Sequence, residues 1–198
     1  MYELVDNLTK LDIKSEFNLE QYYSKMETII RDSLLRPEKN DLTYDILDTE
    51  KSKKNKLLSL KVKQRQMKVG EIWQKTIGNY DEFIDLGIGH ETGLDVISHT
   101  RKLAMELKNR TNTDNSSSKK TNLDKLSKFK KENGEYICIY ANINSNTEQK
   151  TLKGSNKKIT HDGVEIDHQV GYEFLTFIFG EKTEEIIEFV KNTIDKYN

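Results

Sequence analysis

Gly93-Leu94-Asp95-Val96-Ile97 and, past a polar turn, Ala104-Met105-Glu106-Leu107-Lys108 are two short β-prone runs, each carrying charge inside an apolar stretch. On a strand, residues two apart face the same side, so Glu106 and Lys108 project together while Leu107 points into the protein. If the runs pair as an antiparallel hairpin closed around Thr100-Arg101, the numbers of opposed residues sum to 201 and Asp95 lies across from Glu106. Their Cβ atoms are then about 5 Å apart. Thr-Arg is not a favoured two-residue turn, so a longer loop on the same centre, which keeps the register, fits better.

Two carboxylates that close repel each other unless a cation sits between them. Hard oxygen ligands with room for water suit Mg²⁺, with Mn²⁺ as a substitute. Such an ion can activate a water and neutralise the charge that develops on a phosphodiester, while a nearby lysine orients the water or stabilises the pentavalent state. Phosphodiester hydrolysis is the chemistry this arrangement explains best. The competing reading is a surface hairpin with a cross-strand salt bridge, which contributes little stability when exposed.

Outward from this pair, helical spacing of Leu19, Tyr22, Tyr23, Met26, Ile29, Ile30 and Leu34 predicts a first helix from Glu16 to about Leu35, stopped by Pro37. A second is predicted over Lys56–Ile77, with Leu57, Leu60, Met67, Ile72 and Trp73 inward. The state of Leu42–Leu47 is left open. Phe83–Gly87, Leu94–Ile97 and Leu103–Leu107 read as strands. Thr121 followed by Asp124 resembles a capping box opening a third helix. Tyr136–Ile143 reads as a buried strand, and Asp162-Gly163 as a hairpin turn between Ile159–His161 and Val164–Ile166. Two helices, Tyr172–Phe179 and Glu181–Tyr197, divided at Gly180, close the chain. This order implies an α/β fold, a mixed sheet flanked by helices, with a helical N-terminal region over 1–55 and a core over 56–198.

The 198 residues carry 32 Lys+Arg and 33 Asp+Glu, a formal net charge of −1 that argues at face value against a nucleic-acid partner. Counted by segment, the charge runs −6 over 1–50, +8 over 51–75, −5 over 76–100, +7 over 101–131 and −5 over 132–198. Two basic blocks thus bracket the acidic stretch holding Asp95, a pattern harder to assign to a solvated helix face than either block alone. The one cysteine, Cys138, lies in an apolar run and excludes an internal disulfide or a thiolate metal site, which makes the cytoplasm the expected compartment. No apolar run approaches the roughly 18 residues of a membrane span, and no export signal opens the sequence.

Asp95, an interval of eleven, then Glu106-Leu107-Lys108 at the end of an apolar strand resembles the PD-(D/E)xK nuclease superfamily. The run from Glu106 to Ser116, with the downstream Tyr140-Ala141-Asn142-Ile143-Asn144, looks like type II restriction endonucleases, in particular a group cutting GGNCC-type sites. The likeness spans roughly residues 65–180 and leaves out the N-terminal helix. It implies a restriction-endonuclease-like fold, Asp95 and Glu106 as metal ligands with help from the Leu107 carbonyl, and Lys108 as the catalytic lysine. It also implies double-stranded DNA as substrate, a homodimer that cuts both strands, and a cognate DNA methyltransferase as genetic partner. No proline precedes Asp95, a departure shared by many members. A further acid from the preceding helix is expected in this superfamily, with Glu71 the first choice and Glu91 its competitor.

After Lys108, the side chains of Asn109, Arg110, Asn112, Asn115 and Ser116 are of the kinds that read base edges or clamp phosphates. The alternative is a polar loop ahead of a helix. Lys119 and Lys120, with Lys125, Lys128, Lys130 and Lys131, are expected to face phosphates as a group. His90, His99, His161 and His168 have no zinc-like spacing and read first as structural residues. Two other functions stay open on these residues: a structure-specific nuclease that reads no bases, and a non-catalytic DNA-binding protein.

Overall fold

The computed structural model describes residues 17–37, 42–110, 116–144 and 157–197. Helix α1 spans Leu19–Leu35, later than a start at Glu16, because the Asn18 side chain caps it by accepting from the Gln21 N–H at 2.9 Å. Helix α2 spans Glu50–Gly78 and begins well before Lys56, where Thr49 caps it by accepting from the Ser52 N–H at 3.2 Å. Apolar periodicity starts only at Leu57, so these polar first turns are invisible to that signal. The boundary between residues 55 and 56 falls inside α2. Leu42–Leu47 leads into a turn closed by the Asp48 N–H on the Asp45 carbonyl, leaving Ile46 and Leu47 exposed.

The expectation that Leu57 and Met67 point inward is not met: both are exposed, while Ile72 and Ile77 are fully buried. A helix of 29 residues is about 43 Å long, which exceeds the breadth of the sheet it crosses, so its first turns overrun the core.

Six strands follow: β1 (Ile84–Asp85), β2 (Val96–Ser98), β3 (Leu103–Arg110), β4 (Ile137–Asn144), β5 (Lys157–His161) and β6 (Val164–Val170). They form one mixed sheet in the order β1-β2-β3-β4-β6-β5. Strands β3, β4 and β6 run parallel, and the other neighbours are antiparallel. At the β5–β6 turn Asp162 (φ 49°) and Gly163 (φ 80°) both adopt the left-handed conformation that a tight hairpin with the right twist requires.

Helix α3 (Ser116–Glu132) carries the chain from β3 to its parallel neighbour β4. It starts at Ser116, not at Thr121, whose hydroxyl instead donates to the Ser117 carbonyl inside the helix. Helix α4 (Gly171–Phe179), a 3₁₀ turn (Gly180–Lys182) and α5 (Thr183–Tyr197) complete the fold.

The alternation of β3 divides the core. Leu103, Met105 and Leu107 join residues from α1, α2, α4 and α5 in one cluster, whereas Ala104 joins Leu123, Leu126 and Phe129 of α3 in the other. Both sheet faces are covered, which is why β3 reads as a nearly unbroken apolar run. Helix α1 belongs to the first cluster through the fully buried Met26 and Ile30, and Tyr22 donates its hydroxyl to the Thr76 carbonyl at 3.0 Å.

Candidate active site

Strand β2 pairs with β3 through Val96↔Met105, Ile97↔Ala104 and Ser98↔Leu103, the register in which opposed numbers sum to 201, closed by the longer loop from His99 to Lys102. One step beyond β2, the Asp95 N–H donates to the Met105 carbonyl at 3.0 Å and Asp95 Oδ2 accepts from the Leu107 N–H at 2.7 Å. Asp95 is thereby fixed by backbone groups of the strand that carries Glu106.

Glu106 is buried, with 3% of its side chain exposed. Its Oε1 receives Lys108 Nζ at 2.7 Å and has Lys125 Nζ, from α3, at 3.8 Å. Its Oε2 is buried and has no hydrogen-bond partner among the described residues. Burial pushes both carboxyls above the usual range; the charge of Asp95 adds to the rise at Glu106, and the two lysines pull both back. A buried carboxylate oxygen left bare beside a second carboxylate fits a hard cation. Among the described residues no cluster of three or more His, Cys, Asp or Glu could hold a metal, so the protein would supply two carboxylates and leave the rest to carbonyl, water or phosphate oxygens.

Glu71 is not brought to this pair. Its two oxygens take a forked ion pair from Arg36, at 2.8 and 3.0 Å, and α2 packs on the opposite face of the sheet from Glu106. Glu91 lines a surface cleft with Thr92, Lys125, Lys128, Phe129 and Glu132. A third acid does act on Asp95: the charge of Asp85 on β1 raises its pKa. Asp85 itself stays low, because Lys75, Gln74 and the Gly87 N–H outweigh the upward effect of its burial.

Asn109 is occupied within the fold, donating to the Gln66 carbonyl at 2.9 Å and accepting from Asn144 Nδ2 at 2.6 Å. Arg110 is exposed at the end of β3, and Ser116, Lys119 and Lys120 are exposed on the first turns of α3. Asn112 and Asn115 lie outside the described residues. Of the histidines, His99 meets the Tyr136 hydroxyl at 2.6 Å, His90 meets Thr92, and His161 meets Asp124 at 2.6 Å.

Three residues named in the sequence enter the surroundings of Glu106 in ways that their spacing does not indicate. Lys125, expected to face phosphates with its neighbours, reaches Glu106. Asn142 and His168 join through Asn142 Nδ2 and His168 Nε2 at 2.7 Å, and parallel pairing sets Glu106, Tyr140 and His168 in one row across β3, β4 and β6. Only the strand order, a non-local property, could have revealed that row.

A mixed sheet between helix layers, with an acid just before β2 meeting the acid-x-Lys run of the adjacent β3, defines a restriction-endonuclease-like α/β nuclease. The chain belongs to the Eco47II restriction endonuclease family, which matches residues 39–197. It is therefore a type II restriction endonuclease, a site-specific deoxyribonuclease with DNA as substrate, which sets aside the non-catalytic alternative. No curated protein matches the chain. Among the described residues no helix is long and apolar enough to cross a membrane.

Proposed function

We propose that the protein makes metal-dependent double-strand cuts in DNA by phosphodiester hydrolysis at a centre built from Asp95, Glu106 and Lys108. The observation that carries this reading is the buried carboxylate pair, in which Glu106 Oε2 has no partner among the described residues. Asp95, Glu106 and the Leu107 carbonyl are the oxygen donors for Mg²⁺, with Mn²⁺ as a substitute. Bound there, such an ion supplies Lewis-acid polarisation and neutralises developing phosphoryl charge.

The remaining work falls to the chain itself. The Leu107 N–H orients Asp95, and the Lys108 contact orients Glu106. Lys108 Nζ, held on Glu106 and partly exposed, positions the attacking water and stabilises the charge gathering on the phosphate oxygens. Asn109, braced between Gln66 and Asn144, holds the end of β3 that carries Arg110. Beyond it in the sequence come Asn112 and Asn115. Those residues, with Ser116, Lys119 and Lys120, contact DNA.

In this reading the protein acts in the cytoplasm beside a cognate methyltransferase, as a homodimer whose two related sites cut the two strands. Of the helical region over 1–55, α1 packs on the nuclease core over 56–198, and α2 joins the two across their boundary. Incubation with unmethylated genomic DNA in Mg²⁺ or in EDTA tests the proposal. Discrete fragments only with Mg²⁺ are expected, and an absence of metal-dependent cleavage over many sites would overturn it.

A further inference from the structure

Lys125 reaches the site from α3, the element that follows the strand carrying the acid-x-Lys run. Its Nζ lies 3.8 Å from Glu106 Oε1, the same oxygen that Lys108 Nζ contacts at 2.7 Å. Its aliphatic stem is seated on Gly93, two residues before Asp95, where an added Cβ would stand 3.3 Å from Lys125 Cδ and Cε. Asn122, buried and one turn earlier on α3, places Oδ1 3.5 Å from the same Nζ. Neighbouring lysines are disposed otherwise: Lys130 donates to the Gly134 and Tyr136 carbonyls, Lys131 pairs with Asp162, and Lys128 is exposed. Charge adds a second argument. Asp95 and Glu106 against Lys108 alone leave one net negative charge, and Lys125 brings the cluster to neutrality.

We propose that Lys125 is a second lysine of the catalytic centre, a positioning residue that shares Glu106 Oε1 with Lys108, leaves Oε2 as the oxygen on offer, and balances the buried acids. A dication entering a neutral cluster makes the centre net positive, which suits a phosphodiester whose negative charge grows in the transition state. With one lysine fewer, the same cluster would hold the cation more tightly and the transition state less well. The inference rests on the metal-site reading given above.

The test uses Lys125→Met, which keeps the stem over Gly93 and removes the charge, with Lys125→Arg as the charge-retaining partner. Three quantities are measured on the full chain: the single-turnover cleavage rate in Mg²⁺, duplex affinity in Ca²⁺, and Mn²⁺ affinity of the DNA-free protein by calorimetry. Lys125→Met is expected to cut at least about tenfold more slowly. Its duplex affinity should change by less than about threefold and its Mn²⁺ affinity should rise severalfold, while Lys125→Arg recovers most of the rate. A cleavage rate within twofold of the wild type overturns the inference, as does unaltered or weaker Mn²⁺ binding. So does a loss confined to duplex affinity, which would make Lys125 a phosphate contact. If Lys125→Met does not fold, Lys125→Arg decides: near-wild-type rate and Mn²⁺ affinity support the inference, and loss of both overturns it. Asp95→Asn, run alongside, separates the two levels. Full cleavage by Asp95→Asn sinks the metal-site reading, whereas a dead Asp95→Asn beside a fully active Lys125→Met sinks only the role of Lys125.

Discussion

Lys108 Nζ lies 2.7 Å from Glu106 Oε1, a contact between residues two apart on β3 that exists because the pleat turns both side chains toward the face covered by α3. The lysine keeps 23% of its side chain exposed, whereas Glu106 keeps 3%. One end of the pair is therefore sealed in the fold and the other faces the solvent from which DNA arrives. Lys108→Met is expected to lower the single-turnover cleavage rate by about a hundredfold or more, the scale on which loss of one preorganised donor to a transition state is felt. Duplex affinity in Ca²⁺ should change little, because a single exposed ammonium is a small part of a phosphate-contacting surface. Unchanged cleavage by this variant would remove Lys108 from the chemistry.

The acids are held at a cost to the fold. Burial, and at Glu106 the charge of Asp95, raises both carboxyls above their unfolded range. A raised folded pKa contributes stability that is fully present below the unfolded value and is lost as pH rises through the folded one. Asp95→Asn keeps an oxygen for the Leu107 N–H and removes the repulsion. In EDTA it should therefore melt higher than the wild type at neutral pH, by about 2–4 °C for each kcal/mol regained, with the difference shrinking toward pH 4. The same variant should cut no DNA. A lower melting temperature at pH 7 would show that the pair is already compensated within the protein.

Much of this site was legible because its geometry is local. A period of two and a turn centred on Thr100-Arg101 fix which residues of β2 and β3 oppose each other, and the structure keeps that register. What could not be read depends on how whole elements pack, which periodicity does not encode. Lys125 meets Glu106 only because α3 crosses the β3 face, and Glu71 is engaged only because α1 ends with Arg36 beside α2. The polar first turns of α2 and α3 carry no apolar rhythm, so both helices begin before the pattern does. The inward assignment of Leu57 and Met67 failed for a related reason, since periodicity gives a helix its face and says nothing of how far its neighbour extends.

Helix α1 is part of the main core. Met26 has no exposed surface and Tyr22 bonds to the Thr76 carbonyl on α2, while Lys196 and Tyr197 of α5 both reach Glu27. Met26→Ala should destabilise the protein by about 2–5 kcal/mol, the range for emptying a packed core position. Denaturant unfolding followed by fluorescence and by circular dichroism should remain one coincident transition, shifted to lower concentration. An early, separate loss of helix signal would show instead that α1 unfolds independently of the sheet.

His168 stands on β6 in the row that runs from Glu106 through Tyr140. Burial lowers its pKa, and the positive charges of Lys119 on α3 and Lys157 on β5 lower it further. Its Nε2 accepts from Asn142 Nδ2 at 2.7 Å, so a second ring proton would face a donor; its ring lies 5.7 Å from that of Tyr140, and its buried Nδ1 has no hydrogen-bond partner among the described residues. The sign follows from the depressed value: the unfolded chain binds the proton more readily, so the stability contributed by the neutral ring is present above the unfolded pKa, near 6.5, and is lost as pH falls below it. The wild-type melting temperature should therefore decline between about pH 6.5 and 5. His168→Gln, which keeps an acceptor for Asn142 without a titrating ring, should decline less over the same interval. If the two profiles are parallel, the acid sensitivity lies elsewhere and His168 is already accommodated in its charged form.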